Sequence, residues 1–294
     1  MAVMITGASG PIGHALVPLL AQKDEVRAAV RAPASAESLR ALGAKVTLDR
    51  LDDADALADV LGGVFTIVHL VGGPDQGDDD ALLDANHGST VRAVAAARAA
   101  GVRRFVLVSV PGASPGAPVP FLRAKGLAEE AVTTSGLQHA VIRSAPVIGA
   151  GSLWFAATVV GALQDPPVVW GPGDRSLAPV ALGDLAAAIA VADDLDVDLA
   201  GTWALEGPDP VTSDELLSML AGPAVVPEHL ERETARARLS GLLGRELGAH
   251  VVDAITGPAR ADAAPAAPAF GVSLTPLERA VRETLATAAA PGRG

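Results

Sequence analysis

In the stretch "VPFLRAKGLAEEAV", Val119 to Val132, Phe121 and Lys125 stand four residues apart, so on a helix their side chains share one face. A tyrosine at the first position would make with the lysine a proton-donor arrangement. Phenylalanine has no proton to give, and the chain contains no tyrosine that could substitute. Lys125 could act as a base if burial lowered its own pKa; held as a ligand-binding or solvated lysine it transfers no proton. The loop "GGPDQGDDD" gathers Asp75, Asp78, Asp79 and Asp80. Clustered carboxylates can raise one another's pKa and create an acid, or they can simply complement the dipole of the helix that follows. Trp154, Phe155 and Trp170 could wall a pocket for a flat substrate, and core packing accounts for them equally well. His14, His69, His87 and His139 read as helix or strand residues, and no group with metal-ligand spacing is present.

A second constellation is "ITGASGPIGHAL", with Gly7, Gly10 and Gly13 at three-residue spacing directly after a strand and at the start of a helix. Gly7 allows the tight turn, Gly10 lets the backbone approach a pyrophosphate, and Gly13 permits close helix–strand packing. The helix start supplies unpaired N–H groups and the positive end of a dipole. In this setting the pattern points to a bound dinucleotide.

Positioning these residues requires alternating strands and helices. Strands are expected at Val3–Thr6, Glu25–Arg31, Lys45–Leu48, Val64–Gly72, Arg103–Val110 and His139–Ala145. Between them lie a helix after the glycine turn bearing Pro18, another over Ser38–Leu42, a long helix over Leu82–Ala100 closed by Gly101, and one over Phe121–Ser135. Such alternation predicts an α/β fold: a Rossmann-type doubly wound parallel sheet with a smaller C-terminal substrate lobe. We divide the chain into a nucleotide-binding domain, 1–149, and a mainly substrate-binding lobe, 150–294, some of whose segments return to the core. Short strands are expected in "VVWG", "APVAL" and "GTWALEG", and helices over Asp184–Ala192 and Ser213–Leu220. Thr212 or Ser213 can cap the latter. The run "PARADAAPAAPAFG" reads as a mobile connector to a last helix beginning near Thr275.

Composition narrows the function classes. Half of the 294 residues are hydrophobic and 19% are charged, which predicts a packed core. A net charge of −12 argues against a nucleic-acid surface. The absence of cysteine removes disulfides, thiol nucleophiles and zinc-thiolate sites. No apolar run approaches a membrane span, and "MAVMITGASG" opens directly on a strand rather than a signal peptide. These features lead us to expect a cytoplasmic protein, monomeric or homodimeric.

The glycine turn and the ordered series "DANHGSTVRAVAAARAAGVRRFVLVS", "FLRAKGLAEEAVTTSGLQHAVIRSAPVIG", "APVALGDLAAAIAVA" and "GTWALEGPDPVTSDELLSMLA" resemble the short-chain dehydrogenase/reductase superfamily. The resemblance is to its extended and atypical branch, most closely the NmrA-like NAD(P)H-binding members. It implies a cofactor shell of Thr6, Gly7, Ser9, Gly10, Pro11, Ile12, Gly13, Leu51, Leu70, Val71 and Ser109. Lys125 would lie on the nicotinamide ribose, and Ser144, Pro146 and Val147 on the nicotinamide face. It also implies a substrate pocket at Asp75, Phe121, Trp154, Phe155 and Trp170. At the end of the second strand an acidic residue would favour NAD, whereas Arg31, with Ser35 nearby, can pair with a 2′-phosphate and favours NADP(H) over NAD(H). Where the family commonly carries Gly-Asp-Leu after the third strand, Arg50 replaces the aspartate between Asp49 and Asp52. Adenine recognition is thereby altered. The family's serine position is also lost, leaving Ser114 as a displaced stand-in.

Tyrosine-mediated carbonyl reduction is therefore excluded, and three function classes remain. One is an NADPH-dependent reductase of a quinone-like or conjugated, apolar or aromatic small molecule. Another is a non-redox isomerase, dehydratase or cyclase on the same scaffold. The third is a dinucleotide-sensing regulator or binding module.

Overall fold

The computed structural model describes residues 1–48, 54–194, 199–248 and 250–289. Its strands are β1 (Ala2–Thr6), β2 (Glu25–Val30), β3 (Lys45–Leu48), β4 (Val64–His69), β5 (Arg104–Ser109), β6 (Gln138–Ser144), β7 (Val147–Ile148), β8 (Val168–Trp170), β9 (Ser176–Leu177), β10 (Val180–Ala181), β11 (Gly201–Leu205), β12 (Val211–Thr212), β13 (Glu228–Leu230) and β14 (Ala264–Pro265). The first half contributes helices α1 (Pro11–Leu20), α2 (Ala36–Ala41), α3 (Ala54–Val60), α4 (Asp79–Leu83), α5 (Ser89–Ala99) and α6 (Pro120–Thr133). The second contributes α7 (Leu153–Ala162), α8 (Leu182–Asp193), α9 (Ser213–Ala221), α10 (Arg232–Leu242), α11 (Val251–Thr256), α12 (Ala266–Phe270) and α13 (Leu277–Ala289).

Eight strands form one parallel sheet in the order β14-β11-β6-β5-β4-β1-β2-β3. Strand order reverses between β1 and β4, and the crevice beyond the strand ends at that point is where open α/β sheets bind ligands. The central strands are buried on both faces, which explains their continuous apolar runs. On one face Val3, Ile5, Val106 and Ile142 meet α1 and α8 through Leu16, Leu185 and Ile189. On the other, Met4, Ile67 and Phe105 meet α3, α5 and α6 through Leu57, Ala97 and Val132.

Two expectations change. The Ala/Pro-rich run is docked rather than loose. Within it β14 pairs with β11 as the eighth strand, and α12 buries Ala266 and Phe270. The Phe270 ring packs edge-on against Trp203 with centroids 5.4 Å apart, so one aromatic anchor overrides a composition that reads as a linker. The long helix begins at Asp79, capped by Asp78 Oδ1, which accepts from the Ala81 N–H at 2.9 Å. It also carries a π-helical turn over Asp84–Gly88. In that turn Asn86 reaches back, accepting from the Gly73 N–H at 2.9 Å and donating to the Gly73 carbonyl at 3.0 Å. The turn thus fixes the loop after β4, and π-turns commonly occur beside ligand sites.

The smaller lobe comprises α7, α9, α10, α11 and three two-stranded pairings, β7 with β10, β8 with β13 and β9 with β12. Helix α9 has a capping box: Thr212 Oγ1 accepts from the Glu215 N–H, and the Glu215 carboxylate from the Thr212 N–H. No described helix is long and apolar enough to cross a membrane.

Candidate functional site

The glycine turn closes the C-terminal end of β1. Gly7 has φ +74°, and a Cβ there would lie 2.8 Å from the Leu70 and Val71 backbone at the end of β4. At Gly13 a Cβ would lie 2.1 Å from the Ala8 carbonyl oxygen, so only glycine lets α1 pack this closely. Gly10 is different: a Cβ there meets nothing closer than 3.6 Å. It occupies the N-cap of α1 without any side-chain cap, Pro11 follows, and no acid stands in the first turn. The helix start therefore has unshielded amides and open space in front of it, an anion cradle of diphosphate character.

Of the neighbouring residues, Ser9 is exposed, while Pro11, Ile12, Leu70 and Val71 are half-buried around the turn. Thr6 faces the other way, its Oγ1 hydrogen-bonded to His69 Nδ1 at 2.7 Å. Burial, reinforced by the charges of Lys125 and Arg92, pushes the His69 pKa down to about 3, so this imidazole is neutral. His14 is tied to the Gly10 carbonyl and to Ser38 Oγ, each at 3.1 Å. Arg31 stands exposed one residue past β2 with Ser35 nearby. Arg50 and Leu51 lie outside the described residues.

Lys125 is buried on α6, and its Nζ donates to the Val108 carbonyl at 2.8 Å. Burial lowers its pKa to about 8, with Glu129 opposing the shift. The Glu129 carboxylate is itself paired with Arg143 at 2.6 Å. Beside Val108, the Ser109 hydroxyl is buried with no hydrogen-bond partner. An orphaned hydroxyl of this kind is costly unless something binds it.

Val108 and Ser109 form one wall of a cleft of about 250 Å³ at the C-terminal ends of the strands. Phe121 and Leu122 of α6 line it, as do Ser144, Pro146 and Val147 after β6. Trp154, Leu185 and Ile255, together with Gly257 and Pro258, complete a largely apolar enclosure, with Ile12 reaching in from the glycine turn. Ser144 donates its hydroxyl to the Ala145 carbonyl at 2.9 Å.

Three expected pocket residues do not line this cleft. Phe155 points into the core beside Ile148 and Leu216, because its neighbour Trp154 takes the cleft-facing position on α7. Trp170 is buried in the lobe and donates from Nε1 to the Ala157 carbonyl at 2.7 Å. Asp75 is engaged with the lobe, ion-paired to Arg245 and accepting from the Gly248 N–H at 2.9 Å. Asp79 likewise meets His250 at 2.8 Å. The acidic loop thus straps the core to the lobe. Ser114, the displaced serine, bonds locally to the Gly116 N–H at 3.4 Å. Among the described residues no cluster could hold a metal ion.

A family model described as NAD(P)H-binding matches residues 7–148. Across 251 residues the chain is 30% identical to (4-alkanoyl-5-oxo-2,5-dihydrofuran-3-yl)methyl phosphate reductase from Streptomyces griseus, covering 81% of this chain and 80% of that protein. The chain is an atypical short-chain dehydrogenase/reductase. It is also 30% identical over 229 residues to NADH dehydrogenase [ubiquinone] 1 alpha subcomplex subunit 9 from Arabidopsis thaliana, a match covering 74% of this chain. The chain spans only 56% of that relative's length. This dehydrogenase/reductase superimposes on the NADPH complex of an NADPH-dependent quinone oxidoreductase from Escherichia coli with a TM-score of 0.77. That likeness in fold covers 96% of this chain and 99% of the other at 22% identity.

The residues present fit the dinucleotide of this family. The open cradle at Gly10 suits the diphosphate, the sheet's switch point suits the extended nucleotide, and the cleft wall at Ser144–Val147 suits a planar ring.

Proposed function

We propose that this atypical short-chain dehydrogenase/reductase reduces a conjugated, quinone-like small molecule with NADPH and without a tyrosine acid. The observation that carries the reading is the juxtaposition of Phe121 with the orphaned Ser109 hydroxyl in one apolar cleft. Bound NADPH would supply a hydride. A simple ketone concentrates the resulting charge on one oxygen and needs a proton at once. A conjugated acceptor spreads it and can take its proton afterwards from water. Ser109 can donate a hydrogen bond to the acceptor oxygen, and the apolar walls keep bulk water from competing. Lys125, bonded to Val108, would hold the ribose. Arg31 favours the 2′-phosphorylated dinucleotide. Both the quinone oxidoreductase and the Streptomyces griseus reductase have names consistent with this acceptor class; the latter's name describes an alkene conjugated with two carbonyls. On this reading the nucleotide half is 1–149 and the later segments face the substrate.

The test is NADPH consumption with a panel of quinones, unsaturated lactones and simple ketones. The first two groups should oxidise NADPH and the ketones should not. Calorimetric binding without oxidation of any acceptor would favour the sensing reading. A product isomeric with its substrate would favour the non-redox one.

A further inference from the structure

Next to the cleft the lobe forms a second, smaller chamber of about 30 Å³. Its walls are apolar side chains with the hydroxyls of Thr158 and Ser213, and among the described residues Arg175 is the one charged group lining it. Trp154 and Ile255 belong to both the chamber and the cleft, so the two adjoin.

Arg175 differs from the other arginines near it. Arg245 has Asp75, Arg232 has Asp253 and Arg260 has Glu206. In a chain with a net charge of −12, the half-buried Arg175 has no carboxylate within ion-pair distance among the described residues. Burial lowers its pKa to about 10, with no acidic neighbour opposing it. One end of its guanidinium is anchored: Nη1 donates to the Ile255 carbonyl at 2.6 Å and to the Gly257 carbonyl at 3.0 Å. Its Nε is buried and donates to nothing. Capping the end of α11 therefore uses part of the donor fork and holds the remainder in place. A fixed, uncompensated guanidinium with a free donor edge is matched to the two oxygens of an anion. The chamber has room for a small group and not for a whole substrate.

We infer that Arg175 is the recognition point for an oxyanion, a carboxylate or a phosphate, borne by a substrate whose apolar portion fills the adjoining cleft. The assignment rests on the proposed function only for the cleft being where that portion binds.

Intrinsic fluorescence reads the chamber directly, since two of the chain's three tryptophans, Trp154 and Trp170, line it. Octanoate, octyl phosphate and 1-octanol are titrated against the whole protein without dinucleotide. At least one anion is expected to bind about tenfold or more tightly than the alcohol, and the tighter one identifies the group. Arg175→Gln should bring that anion to the level of 1-octanol and leave 1-octanol unchanged. Arg175→Lys keeps the charge and loses the fork, and should weaken the anion several-fold. Equal binding of all three ligands by the unaltered protein overturns the assignment whether or not either variant folds. So does a lowered melting temperature in Arg175→Gln with the anion preference intact, which would make Arg175 only a cap for α11. NADPH oxidation is scored separately. Anion preference without oxidation refutes the reductase reading and leaves this site standing, and the converse result does the opposite.

Discussion

Lys125 Nζ lies 2.8 Å from the carbonyl oxygen of Val108, the residue before the unpartnered Ser109 hydroxyl. That contact holds a cation in the interior, where burial lowers its pKa from 10.5 to about 8. Below about pH 8 both folded and unfolded chains carry the proton, and the folded state bears the full burial penalty. Between about 8 and 10.5 the folded protein releases its proton while the unfolded chain keeps it, so stability should rise with pH across that window. The rise from this group is on the order of 3 kcal/mol at most. Urea denaturation of Lys125→Met at several pH values should show the rise removed; an unchanged slope would mean that another group carries it.

The glycine turn offers two substitutions with opposite structural consequences. Gly13→Ala drives a Cβ into the Ala8 carbonyl and should lower stability by about 1–3 kcal/mol. Gly10→Asp has room, at φ −79° and ψ 171°, and places a good cap on α1. Its melting temperature should hold or rise slightly, while dinucleotide affinity falls more than about tenfold because a carboxylate occupies the anion cradle. Calorimetry alongside thermal melts separates the two.

Arg31 is exposed and should tolerate replacement without loss of fold. In Arg31→Asp, NADPH binding should weaken about tenfold or more and NADH binding far less. Equal losses measured by calorimetry would remove the basis for preferring the phosphorylated cofactor.

Phe121→Tyr restores the missing phenol on the wall of the cleft, four residues before Lys125. Simple ketone reduction should rise less than about tenfold, because the serine position that the family pairs with the tyrosine is lost and Ser109 does not stand at it. Steady-state rates with ketones and quinones check this. A gain of several orders of magnitude would show that a carbonyl-reducing site had remained poised.

The parts of this molecule legible in the sequence are those governed by local rules. Strands buried on both faces announce themselves as apolar runs, and the glycine turn carries its steric reason in its spacing. The positions that escaped depend on partners distant in the chain. Nothing local indicates that Asp75 would meet Arg245, 170 residues away. Trp154 and Phe155 are adjacent, and only the packing of α7 decides which one faces the cleft. Composition misled at the Ala/Pro run, where the contact between Phe270 and Trp203 supplies the order. Arg175 gave no signal at all, since an arginine in a glycine-rich turn resembles a surface residue until its surroundings are known.

Because β14 comes from residues 264–265 and shields the outer side of β11, the main sheet acquires that border only after its other seven strands have been synthesised. Until then a growing chain exposes the bare rim of β11, a ready template for strand pairing with another nascent copy. A stop codon before residue 264 would make that exposure permanent. Such fragments, although they retain every residue of the glycine turn and the Lys125 helix, should aggregate rather than accumulate as working dinucleotide binders.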